Sequence, residues 1–433
     1  MVKQFLHRKI LNMQIDGLRL CGFWSLNPTL PAYVKILYYV YNKVVLSFVL
    51  IFIGTLTADL IINFNDLLIV TDDGCYLAGM MVILFKIYIF NDKQEKINQL
   101  VEKVYQPIDI IAKSSDSGVR SRLRISNFLE QLLFYFFIGL AIFLAFALLV
   151  LVPRQDGELP IRSAFPFNTK ISPKHEIGYF LQSAAICYGL FLIVCMDSMV
   201  TEMGRWINFR MKILTSNFRM CDSKQHDRGA FYSTDATFEF LKNTSIYQIT
   251  DEHQKIRSFI PIKLDEVNNF EDSYQLRFKT CLQNHQDIIH AVDDLNAIFG
   301  SSMLMQLFAS FSMICLTGFQ AVLGSTSKTS LMKFAVYLGA AFSQLANWCW
   351  IGNEISYEST ILFESQWLSG WEKQISDPSI RTLMTIPLIR TKKPLQLKAG
   401  KFYTMSMTTF TGILRNSYQF FALLTTATDA QRQ

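Results

Sequence analysis

Charge is scarce in this chain. Only 18% of its 433 residues are Asp, Glu, Lys or Arg, against 51% hydrophobic and 14% aromatic. That balance excludes a two-domain soluble enzyme and leaves an all-α, polytopic membrane protein. Paired cysteine motifs are also missing: Cys21, Cys75, Cys187, Cys195, Cys221, Cys281, Cys315 and Cys349 are scattered without CxxC spacing. A zinc site and a disulfide framework are thereby excluded, and small apolar packing is the role left to these residues. The opening MVKQFLHRKILNMQIDGLRL has neither a long apolar core nor a small-residue cleavage site, so no cleaved leader is expected.

Catalytic signatures are absent too. HExxH, GxGxxG after a strand, GxxxxGK[ST] and GxSxG do not occur, and each would mark a metal, nucleotide or acyl-transfer site. His285 and His290 are five apart and do not share a helix face, and adjacent Asp72/Asp73 and Asp293/Asp294 point in different directions on a helix. No enzyme, cofactor, metal or nucleic-acid partner is expected.

What the chain does have is apolar runs. They lie at about Ile36–Ala58, Leu67–Phe90, Glu130–Val152, Ile177–Val200, Ile298–Leu323, Leu331–Ile351 and Tyr403–Thr425, each near the ~20 residues that cross a bilayer. Seven transmembrane helices are therefore predicted. Lys43 and Lys86 fall within a turn or two of span ends, where their stems are expected to reach the interface. Of the 41 Lys and Arg, 31 fall in the N-terminal segment and in the loops after the second, fourth and sixth spans. This bias predicts a cytoplasmic N-terminus and an extracellular C-terminus, the reverse of a G-protein-coupled receptor. Seven spans do not halve into inverted repeats, which argues against a secondary transporter.

The regions between divide the chain. Residues 1–35 form a cytoplasmic N-terminal segment, 36–200 the first four helices, 201–297 a long inner loop with helical ends and a polar middle at 221–280, 298–351 the fifth and sixth helices, 352–402 an inner segment, and 403–433 the last helix and a short tail. The outer loop Pro153–Glu176, with four prolines, predicts a compact lid. The last span is flecked with Ser, Thr and Asn and carries Arg415. A charge at mid-bilayer costs roughly 2.5–3.5 kcal/mol, so this helix is expected to face protein or water, as the wall of a conduction path.

The final hundred residues carry a pattern: Trp350–Ile351–Gly352–Asn353–Glu354, Glu358–Ser359, Trp367, Arg381, Lys393–Pro394, Leu397, Ala399–Gly400, Phe410, Leu414 and Ser417–Tyr418. It resembles the C-terminal signature of insect odorant receptors. The end of the seventh span differs from that of the family's shared co-receptor, which puts the chain among the variable, odorant-tuned subunits. The resemblance implies a ligand-gated, non-selective cation channel in the plasma membrane of sensory neurons, a heterotetramer with the co-receptor in contact with membrane lipid. A gustatory-type receptor channel and a non-channel receptor or transporter are the alternatives. It also implies a pocket for a small volatile ligand in the outer half of the bundle. Tyr76 and Met80 would line it from the second span, Gly139, Phe143 and Phe146 from the third, Ser183 and Cys187 from the fourth, and Phe334 and Tyr337 from the sixth. The seventh helix would line the pore, with Phe421, Leu424 and Thr425 as its gate.

Overall fold

The computed structural model describes residues 6–432 apart from 27–28, 115, 152–158, 223–249, 263–272, 321–327 and 375–377. The polar middle at 221–280 and the start of the Pro153–Glu176 segment thus lie largely outside the described residues.

A helix runs through most of each of the seven apolar runs: α2 (Ala32–Ile62), α3 (Leu67–Asp92), α5 (Ser117–Phe146), α6 (Lys174–Arg219), α7 (Tyr274–Phe319), α8 (Lys328–Trp367) and α10 (Met407–Arg432). The shorter α1 (Lys9–Leu20), α4 (Gln94–Ile111) and α9 (Pro378–Thr391) complete the set. Among the described residues, α2, α3, α5, α6 and α7 are long and apolar enough to cross a membrane. Sequence sets the helix starts. Asp116 caps α5 by accepting from the Gly118 and Val119 amides at 2.8 and 3.1 Å, and Ser273 caps α7 by accepting from Leu276 N at 3.2 Å. A turn of π-helix, Ala147–Leu151, extends α5.

Two helices outrun their apolar runs. At 46 residues each, α6 and α7 extend about 69 Å, more than twice the ~30 Å hydrocarbon layer. Their surplus turns gather α1, α4 and the end of α8 at one end of the bundle, called basal here. There Trp206 is fully buried, with its ring 5.9 Å from His7, 6.2 Å from Tyr105 and 5.4 Å from Phe209. Arg8 and His7 both hold Asp109 at 2.6 Å, clamping the N-terminal segment to α4. A two-residue antiparallel pair, β1 (Lys398–Ala399) with β2 (Tyr403–Thr404), turns the chain into α10. Gly400 makes that turn with φ +62°, a conformation that costs a glycine little.

Along the bundle α3 packs on α7, α6 on α8, and α10 on α7. Large apolar side chains such as Ile36, Leu37, Leu132, Phe136 and Ile142 point outward and stay exposed. In lipid such a surface has no water to avoid.

The structure corrects one expectation. Lys86 does not reach an interface: it is 2% exposed and forms an ion pair with Asp197 inside the bundle. Lys43 is exposed, its ammonium 5.1 Å from the Tyr39 ring.

Candidate ligand cavity

Above the Lys86–Asp197 pair lies a cavity of about 130 Å³. Each surrounding helix gives it one face. Positions 186, 190, 193 and 197 of α6 and 137, 141, 144 and 148 of the α5 segment recur at helical spacing along its wall. From α3 come Tyr76, Gly79 and Met80, and from α8 Tyr337, Ala341 and Gln344. The segment between α5 and α6 folds over the top. Ile161, 2% exposed, lines the cavity, held by Gln182 through hydrogen bonds to its carbonyl at 2.7 Å and from its amide at 3.2 Å. Arg162 adds an ion pair to Asp59 at 3.0 Å.

Most of the wall is apolar, and its polar atoms sit at two levels. On the side walls the Tyr76 and Tyr337 rings lie 5.6 Å apart, and the Tyr337 hydroxyl donates to the Cys75 carbonyl at 3.3 Å. Gly79 makes room for that hydroxyl, since a Cβ there would sit 3.1 Å from it. At the floor Lys86 Nζ donates to Asp197 and, at 2.6 Å, to Gln306 Oε1. Gln306 Nε2 donates to Gln344 Oε1 at 3.1 Å, and Gln344 returns a hydrogen bond to Asp197. Trp348 closes the layer, its ring centre 5.9 Å from the Lys86 ammonium. The network joins α3, α6, α7 and α8, so anything touching the floor touches four helices.

The volume is close to the ~150 Å³ of a dry apolar cavity that accepts benzene. Recognition in such a space rests on shape and dispersion with one or two hydrogen bonds. Among the described residues no group of three His, Cys, Asp or Glu is placed to hold a metal ion.

Of the residues expected to bind ligand, the structure brings together Tyr76, Met80 and Tyr337. It turns others away. Phe143 and Phe146 are 47% and 48% exposed on the outer face of α5, a Cβ at Gly139 would meet nothing within 4 Å, and Cys187 is exposed. Ser183 has a buried hydroxyl but is not on the cavity wall. The side chain of Phe334, like those of Leu424 and Thr425, lies outside the described residues. Phe421 is half-buried on α10, its ring 6.3 Å from Tyr418, while Arg415 is exposed. Sequence reasoning missed the floor residues Asp197, Gln306 and Gln344. Its available signal was a lone Lys in one span and a lone Asp in another, at matching depth.

The profile of the 7tm odorant receptor family matches residues 67–418. The chain belongs to the insect odorant receptors. This receptor is 26% identical to odorant receptor 13a of Drosophila melanogaster, over 95% of its own length and 94% of that protein. It is 22% identical to odorant receptor 47b of the same fly, over 82% and 76%. Its fold is similar to that of the olfactory receptor OR5 from Machilis hrabei, solved in complex with eugenol. The TM-score is 0.75 at 14% identity, covering 97% of this receptor and 98% of that chain. Its relatives are receptors, and the odorant receptor is not an enzyme.

Proposed function

We propose that the chain is the odorant-sensing subunit of a heteromeric, ligand-gated, non-selective cation channel in the plasma membrane of sensory neurons. The observation that carries this reading is the largely apolar cavity with a polar floor that ties α3, α6, α7 and α8 together. A small volatile molecule enters it, packs against Tyr76, Met80 and Tyr337, and shifts the helices that the floor network joins. The loop charge bias supports a cytoplasmic N-terminus and an outside C-terminus, which puts the cavity in the outer half of the bundle. In this reading α10 lines the pore, with Phe421, Leu424 and Thr425 near its outer end as the gate, and an odorant co-receptor completes a heterotetramer. The polar, outward face of α10, with Thr411, Arg415, Asn416 and Gln419 exposed, suits subunit contact or water better than lipid.

A ligand of about ten heavy atoms supplies roughly 3–8 kcal/mol, and turning a channel from mostly closed to mostly open needs about 5.5 kcal/mol of differential binding. Graded, fairly promiscuous activation follows. Membrane current under a panel of volatiles, from cells expressing this chain with and without a co-receptor, tests the proposal. A volatile-evoked cation current that needs the co-receptor is expected; silence with proven surface co-assembly across a broad panel counts against it.

A further inference from the structure

A second cavity, of about 210 Å³, lies on the basal side of the first, where the apolar runs of α5, α6 and α8 give out. Its mouth is apolar and outward-facing, formed by Leu129 and Trp350, which are 37% and 58% exposed. Exposed Tyr357 lies one turn beyond Glu354 on α8, the kind of aromatic residue found at headgroup level in membrane proteins.

Its interior is charged. Five ionisable residues line it, and two of them satisfy each other: the Arg205 guanidinium forks onto the Glu130 carboxylate, with Nη2 at 2.6 Å from Oε2. Three remain less committed. Arg122 donates its Nε to the Gln254 carbonyl at 2.8 Å, and no carboxylate among the described residues lies within ion-pair distance of it. Lys212 stands 3.5 Å from Glu358 and 3.8 Å from Glu354, beyond the ~2.7–2.9 Å of a charge-assisted hydrogen bond. Glu354 accepts from Asn208 Nδ2 at 3.2 Å, while Asn208 Oδ1, on a residue only 7% exposed, has no partner among the described residues. An unpartnered buried acceptor is costly.

Arg122, which no carboxylate among the described residues contacts, can take an anion, with Lys212 able to shift toward it from its two long ion pairs. Glu354 and Asn208 can take N–H donors, and the apolar mouth an acyl tail. We propose that this cavity holds the headgroup of a phospholipid bearing a primary ammonium group. Its phosphodiester lies toward Arg122 and Lys212, its ammonium toward Glu354 and Asn208, and its acyl chains along the outer faces of α5 and α8. Basic pockets between membrane helices commonly take phospholipid headgroups. The mixed signs here add a selectivity. A choline headgroup has no N–H to give Asn208, and a glycerol headgroup has no cation to give Glu354. The site depends on the membrane placement of the helices and not on what fills the first cavity. The two share only Asn347 in their walls, which receives a hydrogen bond from Arg205 at 3.4 Å.

The test is native mass spectrometry on the full chain, purified in mild detergent and stripped of lipid. Phosphatidylethanolamine, phosphatidylcholine and phosphatidylglycerol with matched chains are added in turn, alone or with inorganic phosphate. Retention of the ethanolamine lipid about tenfold above the other two is expected, falling about tenfold in Arg122→Gln, as loss of a charged hydrogen bond implies. Arg122→Lys should keep most of it. If Arg122→Gln does not fold, Lys212→Gln tests the same site and should move retention in the same direction. Equal retention of all three lipids, or no change in a folded variant, would overturn the assignment in favour of unspecific annular lipid. Displacement of the lipid by inorganic phosphate would overturn it in favour of a free-anion site.

Discussion

Replacing Lys86 by Met removes one half of an ion pair that lies inside the bundle, 2% and 8% exposed on its two residues. Asp197 would keep only the hydrogen bond from Gln344, and Gln306 Oε1 would lose its donor. Breaking a buried pair from one side typically costs about 3–5 kcal/mol, because a charge is left uncompensated, whereas replacing both partners by apolar residues is often near neutral. Asp197→Leu alone should therefore be comparably harmful. Lys86→Met with Asp197→Leu should be milder than the sum of the two by several kcal/mol, with a residue of about 1–3 kcal/mol for the stranded glutamine amides. By the unfolding entropy per residue of soluble domains, each single change lowers the apparent Tm by about 3–5 °C in a chain this long. Melting by fluorescence-detected size exclusion, with surface expression alongside, reads all three variants. If the double variant falls by the full sum of the singles, Lys86 and Asp197 are not an energetic unit and the floor network is not what joins the four helices.

Burial pushes the Asp109 carboxyl up, but hydrogen bonds from His7 and Arg8 outweigh it and hold the group below its ordinary range. Its folded value thus lies below the ~3.9 of an unfolded Asp. The stabilisation is complete above that unfolded value and is lost as pH falls through the folded one. Proteolysis of the N-terminal segment between pH 3 and 6 should rise steeply at the acid end in the native protein, whereas Asp109→Asn should be cut readily even at neutral pH. Gly352 lies where α8 meets the approach to α10, and a Cβ there would sit 2.1 Å from the Met405 carbonyl oxygen. Because a backbone atom blocks the site, Gly352→Ala should cost about 2 kcal/mol or more and cut surface biotinylation sharply. Native surface levels would mean that α8 and α10 can separate without loss.

The seven spans were readable because run length reports burial in lipid directly, and the cation bias between them is a property of composition. What the runs could not show is where a helix stops once it leaves the membrane. The Ile177–Val200 run became Lys174–Arg219 because the following turns bury Trp206, Ile207, Met211 and Leu214 against α1 and α4, a partner no single segment reveals. The cavity was half legible. Tyr76, Met80 and Tyr337 were found, but on α5 the Gly139, Phe143 and Phe146 face and the Phe137, Ala141 and Leu144 face are both apolar. In a soluble protein the exposed face would be polar and the choice plain. In lipid both faces are greasy, and hydropathy carries no vote between cavity and bilayer. Lys86 was misjudged for a different reason: a charge near a span end has two solutions, snorkelling and pairing, and only the position of Asp197 in space decides between them.

The most direct test of the ligand reading compares Tyr337→Ala with Phe143→Ala in one recording of volatile-evoked current, each co-expressed with the co-receptor. Tyr337 lines the cavity and Phe143 faces away from it. Truncating a ring in the wall should raise the half-maximal concentration by roughly tenfold, from about 1–2 kcal/mol of lost apolar contact, while Phe143→Ala should overlay the native curve. A native response from Tyr337→Ala together with a shifted one from Phe143→Ala would place the ligand outside this cavity and contradict the account.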